Sequence, residues 1–530
     1  MTEDVVVIGS GFGGSISANR LALAGRKVLV LERGPWRDSL PVRSMGIPKR
    51  APFPYGMTFV THFLRTIHVG RGAEPTHPLH KKGLIELLRR AVLQVLRVSG
   101  AGSAQGLTLN KSGMFEVFSF PGLNVLVVSA VGGGSHGWAG MVVEPQDPAY
   151  WRGRHPDLNP AQVEKYYDKV RADLGAVRIS KEHFLPHSIW THRPTSSTGR
   201  CLPSDPQPYI AMRLPYSESE VGQETEDAGG VKRRTCAFDG DSFLGSRGGA
   251  KASVDFVYLA PALNKGATVR DLCEVTKIVR HGTGGDNEYA VHFSDLHKRT
   301  KEIVRAKRVI LAAGTMNTLR LLFASSRESG GLSPMLSLGL TFGGNGDLFG
   351  AWHKTSAQPA MFVSPPVLGR FTVAGEDVPF VGLGGLPGID TLPLLFARKT
   401  LAKMVPIIGM GADSGKAAVR FNKGRLDVDY DPALEPIFER IRETIRALQA
   451  DSGLKAWAIT KPITIHPWGG ACLGAGPDRG VVDHNGEVYG NPGLFVADGS
   501  VLPAAVGTPP SLTIAAWAHH VADSLAQRAS

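Results

Sequence analysis

The sequence predicts an α/β fold whose first domain is assembled from segments far apart in the chain and joined to a second, α+β domain of sheet and covering helix. Three observations predict this. The chain opens on a strand, a glycine turn, a helix and a second strand; an apolar strand again runs into glycines at Gly132, Gly133 and Gly134; and a last apolar strand, GLFVADGS, ends on an acid and a glycine before a closing helix. With 530 residues, 42% hydrophobic and 20% charged, the chain has the proportions of a globular protein with a large interior, neither disordered nor a membrane bundle.

In order, DVVVIG, SGFGGSISANRLALAG and KVLVLERG form a βαβ unit. From Pro35 to about Gly113 the text is irregular. It contains the basic stretch KKGLIELLRRAVLQVLRV, where Leu84, Leu87, Leu88, Val92, Leu93 and Leu96 recur at helical spacing. That stretch reads as a helix covering the core, with transient contact to a membrane surface or a substrate entrance as the alternative. LNVLVVSAV leads into the mid-chain glycines, and NPAQVEKYYDKVRADLG is helical text. Between about Arg178 and Gly249 the sequence is rich in Pro, Ser and Gly and reads as a long excursion. ATVRDLCEVTKIVRH, NEYAVHFSD and AKRVILAAGTMNTLRLLFAS then read as three strands and a helix that return to the first sheet. Further on, AAVRFN and LDVDYD are expected in the second domain's sheet, with PALEPIFERIRETIRALQAD as its covering helix. The division that follows gives residues 1–34, 121–180, 236–335 and 460–530 to the first domain, 35–120 to an insert or lid, and 181–235 with 336–459 to a substrate-binding domain.

Charge and cysteine usage exclude several classes. Lys and Arg number 59 against 47 Asp and Glu, but the basic residues are scattered and no nucleic-acid motif accompanies them, so no nucleic-acid partner is expected. Cys201, Cys236, Cys273 and Cys472 show no metal spacing, and neither a metal centre nor a disulfide framework is expected. No apolar leader precedes the first strand in MTEDVVVIGSG, which points to the cytoplasm. Nothing in the sequence bears on oligomeric state.

The turn Gly9-Ser10-Gly11-Phe12-Gly13-Gly14 fits G-x-G-x-x-G between strand and helix. Its first glycine makes the tight turn, the second lets a pyrophosphate approach, and the third permits helix–strand packing. Glu32, 18 residues past Gly14 at the end of the second strand, is placed to accept hydrogen bonds from a ribose, with Arg33 beside it. An acid there disfavours a 2′-phosphate and leaves NAD or FAD. The strand that ends at Asp498 and Gly499 favours FAD, because an N-terminal dinucleotide motif paired with a C-terminal strand-Asp-Gly return resembles the way large flavoproteins hold an extended FAD.

VVIGSGFGGS, VGGGS followed by GMVVEP, RVILAAGTMNTLRLL, HPWGGACLG and DGSVLPAAVG occur in that order, and together they resemble the glucose-methanol-choline (GMC) oxidoreductases, most of all their bacterial cholesterol-oxidase-like group. The resemblance implies a Rossmann-like FAD-binding domain with Gly9, Gly11, Phe12, Gly13 and Gly14 at the pyrophosphate, and Glu32 and Arg33 near the adenosine ribose. It implies Val275 at adenine, Gly314 at the turn beside the nucleotide, and Gly133, Ser135 and Trp138 along the flavin ring. Asp498 and Gly499 fall at the ribityl and phosphate region, and Pro510 and Ser511 at the pyrimidine edge. His466 falls on the active-site histidine, which takes the substrate's hydroxyl proton while hydride leaves for flavin N5. As an isolated residue, His466 would read as a buried, hydrogen-bonded histidine before a glycine turn.

Three departures shape the expected function. Pro509 stands where an asparagine partner of the histidine is usual, leaving Thr508 or Ser511 to supply a hydroxyl. Gly382 stands near the glutamate used for steroid isomerisation, so no isomerase step is expected. Trp138 resembles pyranose oxidases, whose covalent flavin histidine would fall on Gly137, one residue from His136. Non-covalent FAD is therefore expected, since a displacement by one residue turns a side chain elsewhere. The expected activity is FAD-dependent oxidation of a bulky hydrophobic secondary alcohol, steroid- or terpenoid-like, with oxygen or another acceptor reoxidising the flavin. A sugar or glycoside oxidase of the same fold, and a lyase with a non-redox flavin, are the alternatives.

Overall fold

Strands buried on both faces read as continuous apolar runs rather than alternating ones, and Val5–Ile8 and Val28–Leu31 are fully buried in that way. In the computed structural model, which describes residues 2–48, 67–69, 115–186, 199–204, 206–227, 229–281, 288–354, 363–385, 400 and 402–528, these two runs pair in parallel at the centre of a seven-stranded sheet. The amphipathic stretch from Leu84 to Leu96 lies outside the described residues.

One strand organises this sheet. Thr300–Leu311 is 12 residues long, and its C-terminal half lies parallel to Thr2–Ile8 on one side and to Leu494–Val496 on the other. Its N-terminal half pairs antiparallel with Glu288–Asp295, which pairs in turn with Cys273–His281. Thr268–Arg270 completes the parallel part beyond Val28–Leu31. The α/β reading and the return of residues 267–311 to the first sheet both hold. The loops leaving the C-terminal ends of the parallel strands therefore converge: Gly9–Gly13, Glu32–Arg33, Ala312–Gly314 and Ala497–Gly499. Open parallel sheets bind their ligands at that edge.

A second sheet of six antiparallel strands runs in the order Ala456–Ala458, Leu348–His353, Met404–Gly409, Phe380–Leu383, Val367–Val373, Cys201–Pro203. Helix Pro436–Ser452 covers one face with Ile437, Phe438, Ile441, Ile445 and Leu448. At Gly409 a Cβ would sit 2.9 Å from an Ile441 methyl, so the glycine sets how closely helix and sheet approach. The covering helix matches the sequence reading, but AAVRFN and LDVDYD do not belong to this sheet. They form a separate hairpin, Ala418–Asn422 with Arg425–Asp429, because each alternates buried and exposed residues and so has a single core-facing side.

Candidate active site

The edge where the parallel strands end and the uncovered face of the second sheet bound one continuous cavity of about 460 Å³. At its dinucleotide end the glycines divide by role. A Cβ at Gly13 would lie 2.1 Å from the Ala497 carbonyl oxygen, and one at Gly14 would lie 2.0 Å from that of Gly9, so these two are glycine because protein packs against them. A Cβ at Gly11 would meet only the Gly133 Cα, at 4.0 Å. No protein contact there requires a glycine, and the room over Gly11 is the shape a close-approaching pyrophosphate needs. Helix Phe12–Leu23 begins at this point with no side-chain cap, so its first N–H groups are left for a ligand. Gly9, Gly11, Phe12 and Gly13 line the cavity, whereas Gly14 lies behind them in the helix–strand packing.

Glu32 is buried at the end of its strand. One carboxylate oxygen accepts from the Ser10 N–H (3.0 Å) and hydroxyl (2.8 Å), and the other from the Gly34 N–H (2.8 Å). Burial raises its pKa while those donors oppose the rise. The oxygen that accepts from Gly34 keeps a further lone pair, and the residue lines the cavity, as a ribose-binding acid must. Arg33 donates to the Ser129 hydroxyl (2.9 Å) and pairs with Glu116 at 3.1 Å. Val275 and Gly314 line the same stretch. Asp498 accepts from the N–H and hydroxyl of Ser500, the Gly314 N–H and the Thr318 hydroxyl. It thus locks the last strand to the turn opening helix Thr315–Ser326, and with Gly499 it faces the cavity.

In the middle of the cavity the turn Gly133–His136 comes up against Gly11, and Trp138 meets Phe12 edge to face at 4.8 Å. Gly133, Gly137 and Trp138 line the cavity, but Ser135 does not. Its hydroxyl is turned into the protein, donating to the Gly132 carbonyl (2.7 Å) and accepting from the Val254 N–H (3.1 Å). The assignment of Ser135 to the flavin ring is corrected: its hydroxyl closes the turn from behind. Lys251, which no sequence motif marks, is fully buried and donates to the carbonyls of Ser135 (3.1 Å), His136 (2.8 Å) and Trp138 (2.9 Å), and so anchors this loop. Its pKa is held well down by burial, opposed by Asp241 and Asp255. His136 is fully buried, with Nε2 at 2.6 Å from the Val131 carbonyl oxygen, and its ring is not part of the cavity wall.

At the far end stands His466. It follows the two-residue strand Ile463–Thr464, which pairs with Asn124–Val128. Its backbone N–H donates to the Thr464 hydroxyl (2.8 Å), and its Nδ1 lies 2.9 Å from Oδ1 of Asp347. Asp347 is buried. Its Oδ2 accepts from the Thr464 hydroxyl (2.9 Å) and the Ile465 N–H (3.0 Å), and no lysine or arginine pairs with it among the described residues. Two residues earlier, Asn345 donates to the Thr508 carbonyl (2.9 Å) and accepts from the Gly507 N–H (2.8 Å). Asp413, buried and with its pKa pushed up to about 6 by that burial, accepts from the Gly344 N–H, the Trp468 indole and the Tyr430 hydroxyl. Asn345, Asp347 and Asp413 were all missed by the sequence reading. A buried carboxylate at Nδ1 leaves Nε2 of His466 as the acceptor on the cavity side, which suits a base.

The proposed substitutes for the missing partner fare differently. The Thr508 hydroxyl donates to the Glu144 carbonyl (2.8 Å) and the residue lies outside the cavity wall, so its assignment as a catalytic hydroxyl is corrected. Ser511 lines the cavity with Pro509 and Pro510, but its hydroxyl is held by the Met141 carbonyl at 2.9 Å. Around His466 the second sheet presents Phe349, Val381, Leu383, Pro406 and Ile408, with Met410 beyond. Along Phe380–Leu383 the cavity positions are Val381 and Leu383. Gly382 projects to the other face, toward Leu368 and Val405.

Comparison with known proteins agrees with this arrangement. Residues 221–331 and 406–518 match the two GMC oxidoreductase profiles, N-terminal and C-terminal respectively. The chain is 25% identical to a cholesterol oxidase of Mycobacterium tuberculosis (strain CDC 1551 / Oshkosh) over 584 aligned residues, covering 98% of this chain and 90% of that one. It is 22% identical to the long-chain-alcohol oxidase FAO4B of Arabidopsis thaliana, covering 98% and 67%. The crystal structure of pyridoxine 4-oxidase from Mesorbium loti superposes with a TM-score of 0.50 at 14% identity over the whole of both chains, a likeness of fold.

Proposed function

Because this chain belongs to the GMC oxidoreductases, FAD-dependent enzymes that oxidise alcohols, we propose that its substrate is a bulky, apolar secondary alcohol, oxidised to the ketone with His466 as base. When bound, FAD supplies the hydride acceptor. The residues fit it: the open space over Gly11, the uncapped helix start and the acid at Glu32 suit a dinucleotide, and Gly133 and Trp138 suit its ring system. With His136 buried away from the cavity, attachment is non-covalent.

The observation that carries the substrate class is the wall facing His466. Phe349, Val381, Leu383, Ile408 and Met410 offer no charge and no side-chain hydrogen bond. A sugar would bury several hydroxyls there without partners, each costing about 1–3 kcal/mol, whereas a hydrocarbon skeleton is stabilised by the same burial. These side chains orient the carbinol and exclude water, and Nε2 of His466 receives its proton. Position 382 is a glycine that faces away from the cavity, and among the described residues the second sheet presents no acid to it, so the reaction stops at the ketone. The names of the cholesterol and long-chain-alcohol oxidases among its relatives point the same way.

A series of alcohols of growing hydrocarbon size tests this by anaerobic bleaching of the flavin. Each added CH₂ that reaches the wall is expected to raise kcat/KM about fourfold, from ~0.8 kcal/mol of burial. Sugars should leave the flavin oxidised. Bleaching by sugars with none by sterols or long secondary alcohols would overturn the substrate class.

A further inference from the structure

We propose that Asp347 is a positioning residue that makes His466 a base at one nitrogen only. It does so from a segment, Gly344–Asp347, that also fixes the loop bearing Pro509. The inference rests on the reading of His466 as the base.

Two observations carry it. The first is the wiring of the carboxylate. Oδ2 of Asp347 accepts from the Ile465 N–H, which can only donate, and shares the single Thr464 hydroxyl proton with the Gly344 carbonyl. Oδ1 is thereby left for Nδ1 of His466 at 2.9 Å. With the side chain of Asp347 fully shielded and no lysine or arginine paired with it among the described residues, the carboxylate favours a proton on Nδ1 and a lone pair on Nε2. When the substrate O–H bond breaks, its proton forms the Nε2–H bond; FAD, when bound, would supply the acceptor for the carbinol hydride. The imidazolium so made lies against a buried negative charge that had no cation before, which stabilises it as it forms.

The second observation is how the segment is held. The Gly344 N–H donates to buried Asp413 at 2.6 Å, and Asp413 also accepts from the indole of Trp468, two residues past the base. Asn345, 1% exposed, spends both ends of its amide on Gly507 and Thr508. One short segment thus joins the base to the loop whose Pro509 offers no polar group.

Asp347→Asn is the test. The Ile465 N–H needs the amide oxygen, so the amide NH₂ is turned to Nδ1, which must then accept, and the proton moves to Nε2. We expect FAD content and melting temperature near those of the parent protein, and flavin reduction by alcohol slowed about 10²–10⁴-fold, the scale of a misassigned tautomer. The effect should fall in kcat rather than KM. ¹⁵N-histidine NMR, with the His466 signal identified by its loss in His466→Gln, should show Nδ1 protonated in the parent and Nε2 protonated in Asp347→Asn. Asp347→Glu restores a carboxylate and should recover part of the rate with the parent tautomer. If Asp347→Asn binds too little FAD to assay, this variant decides alone: a tautomer shifted to Nε2–H, or a rate no better than that of His466→Gln, overturns the proposal. A rate and tautomer unchanged in Asp347→Asn overturn it as well. Should His466→Gln itself turn over at the parent rate, the base assignment fails instead.

Discussion

His466→Gln is expected to keep its yellow colour and lose its turnover. The Thr464 hydroxyl and the Ile465 N–H can still donate to Asp347, so the segment 344–347 and the strand Ile463–Thr464 keep those contacts. What is lost is a titratable nitrogen facing the cavity. General-base assistance is worth roughly 10²–10⁴-fold, and that is the expected fall in the anaerobic rate of flavin reduction. Apparent substrate affinity should change little, because the apolar wall that binds the hydrocarbon is untouched. Flavin absorbance and stopped-flow bleaching on one sample check both halves. A variant that bleaches at the parent rate removes His466 from the mechanism.

The second large effect concerns the cofactor. Gly11→Val is expected to fold and to be colourless. Its Cβ would meet no protein atom nearer than the Gly133 Cα, at 4.0 Å, so the apoprotein should melt close to where the parent apoprotein does. Gly13→Ala differs, because its Cβ collides with the Ala497 carbonyl oxygen at 2.1 Å and disturbs the sheet edge itself. Adding FAD at about 100 times its Kd stabilises a binding protein by roughly 2.7 kcal/mol through mass action. The parent should show that rise in melting temperature, and Gly11→Val should show none. A Gly11→Val protein stabilised by FAD as strongly as the parent would mean that the dinucleotide does not cross this turn.

Much of this was legible where the chemistry is local. A strand, a G-x-G-x-x-G turn and a helix are contiguous in sequence, and so the cradle around Gly9–Gly14, Glu32 and Asp498 could be placed from residues alone. His466 was singled out only through the resemblance carried by HPWGGACLG; taken alone it reads as a buried histidine before a glycine turn. Asp347 could not be placed: it lies 119 residues from His466, and nothing in GDLFG marks one acid as the partner of one imidazole. Hydroxyl directions were equally hidden. Ser135 and Thr508 stand beside cavity residues, yet each turns to a backbone carbonyl close behind it. The second sheet gave a weak signal for a physical reason. Phe380–Leu383 and Met404–Gly409 are apolar toward both the helix and the cavity, so the period-2 alternation that betrays a half-exposed strand is missing. The hairpin of residues 418–429 alternates clearly, and for that reason was drawn into a sheet it does not join.

The most direct measurement is acid precipitation of the purified protein, followed by an absorption spectrum of the supernatant. Stoichiometric free FAD in the supernatant over a colourless pellet is the result expected for a non-covalent dinucleotide lying between the Gly9 turn and the strand that ends at Asp498. A protein that is colourless from the outset, and stays so after incubation with FAD, would contradict the cofactor site and every role assigned around it.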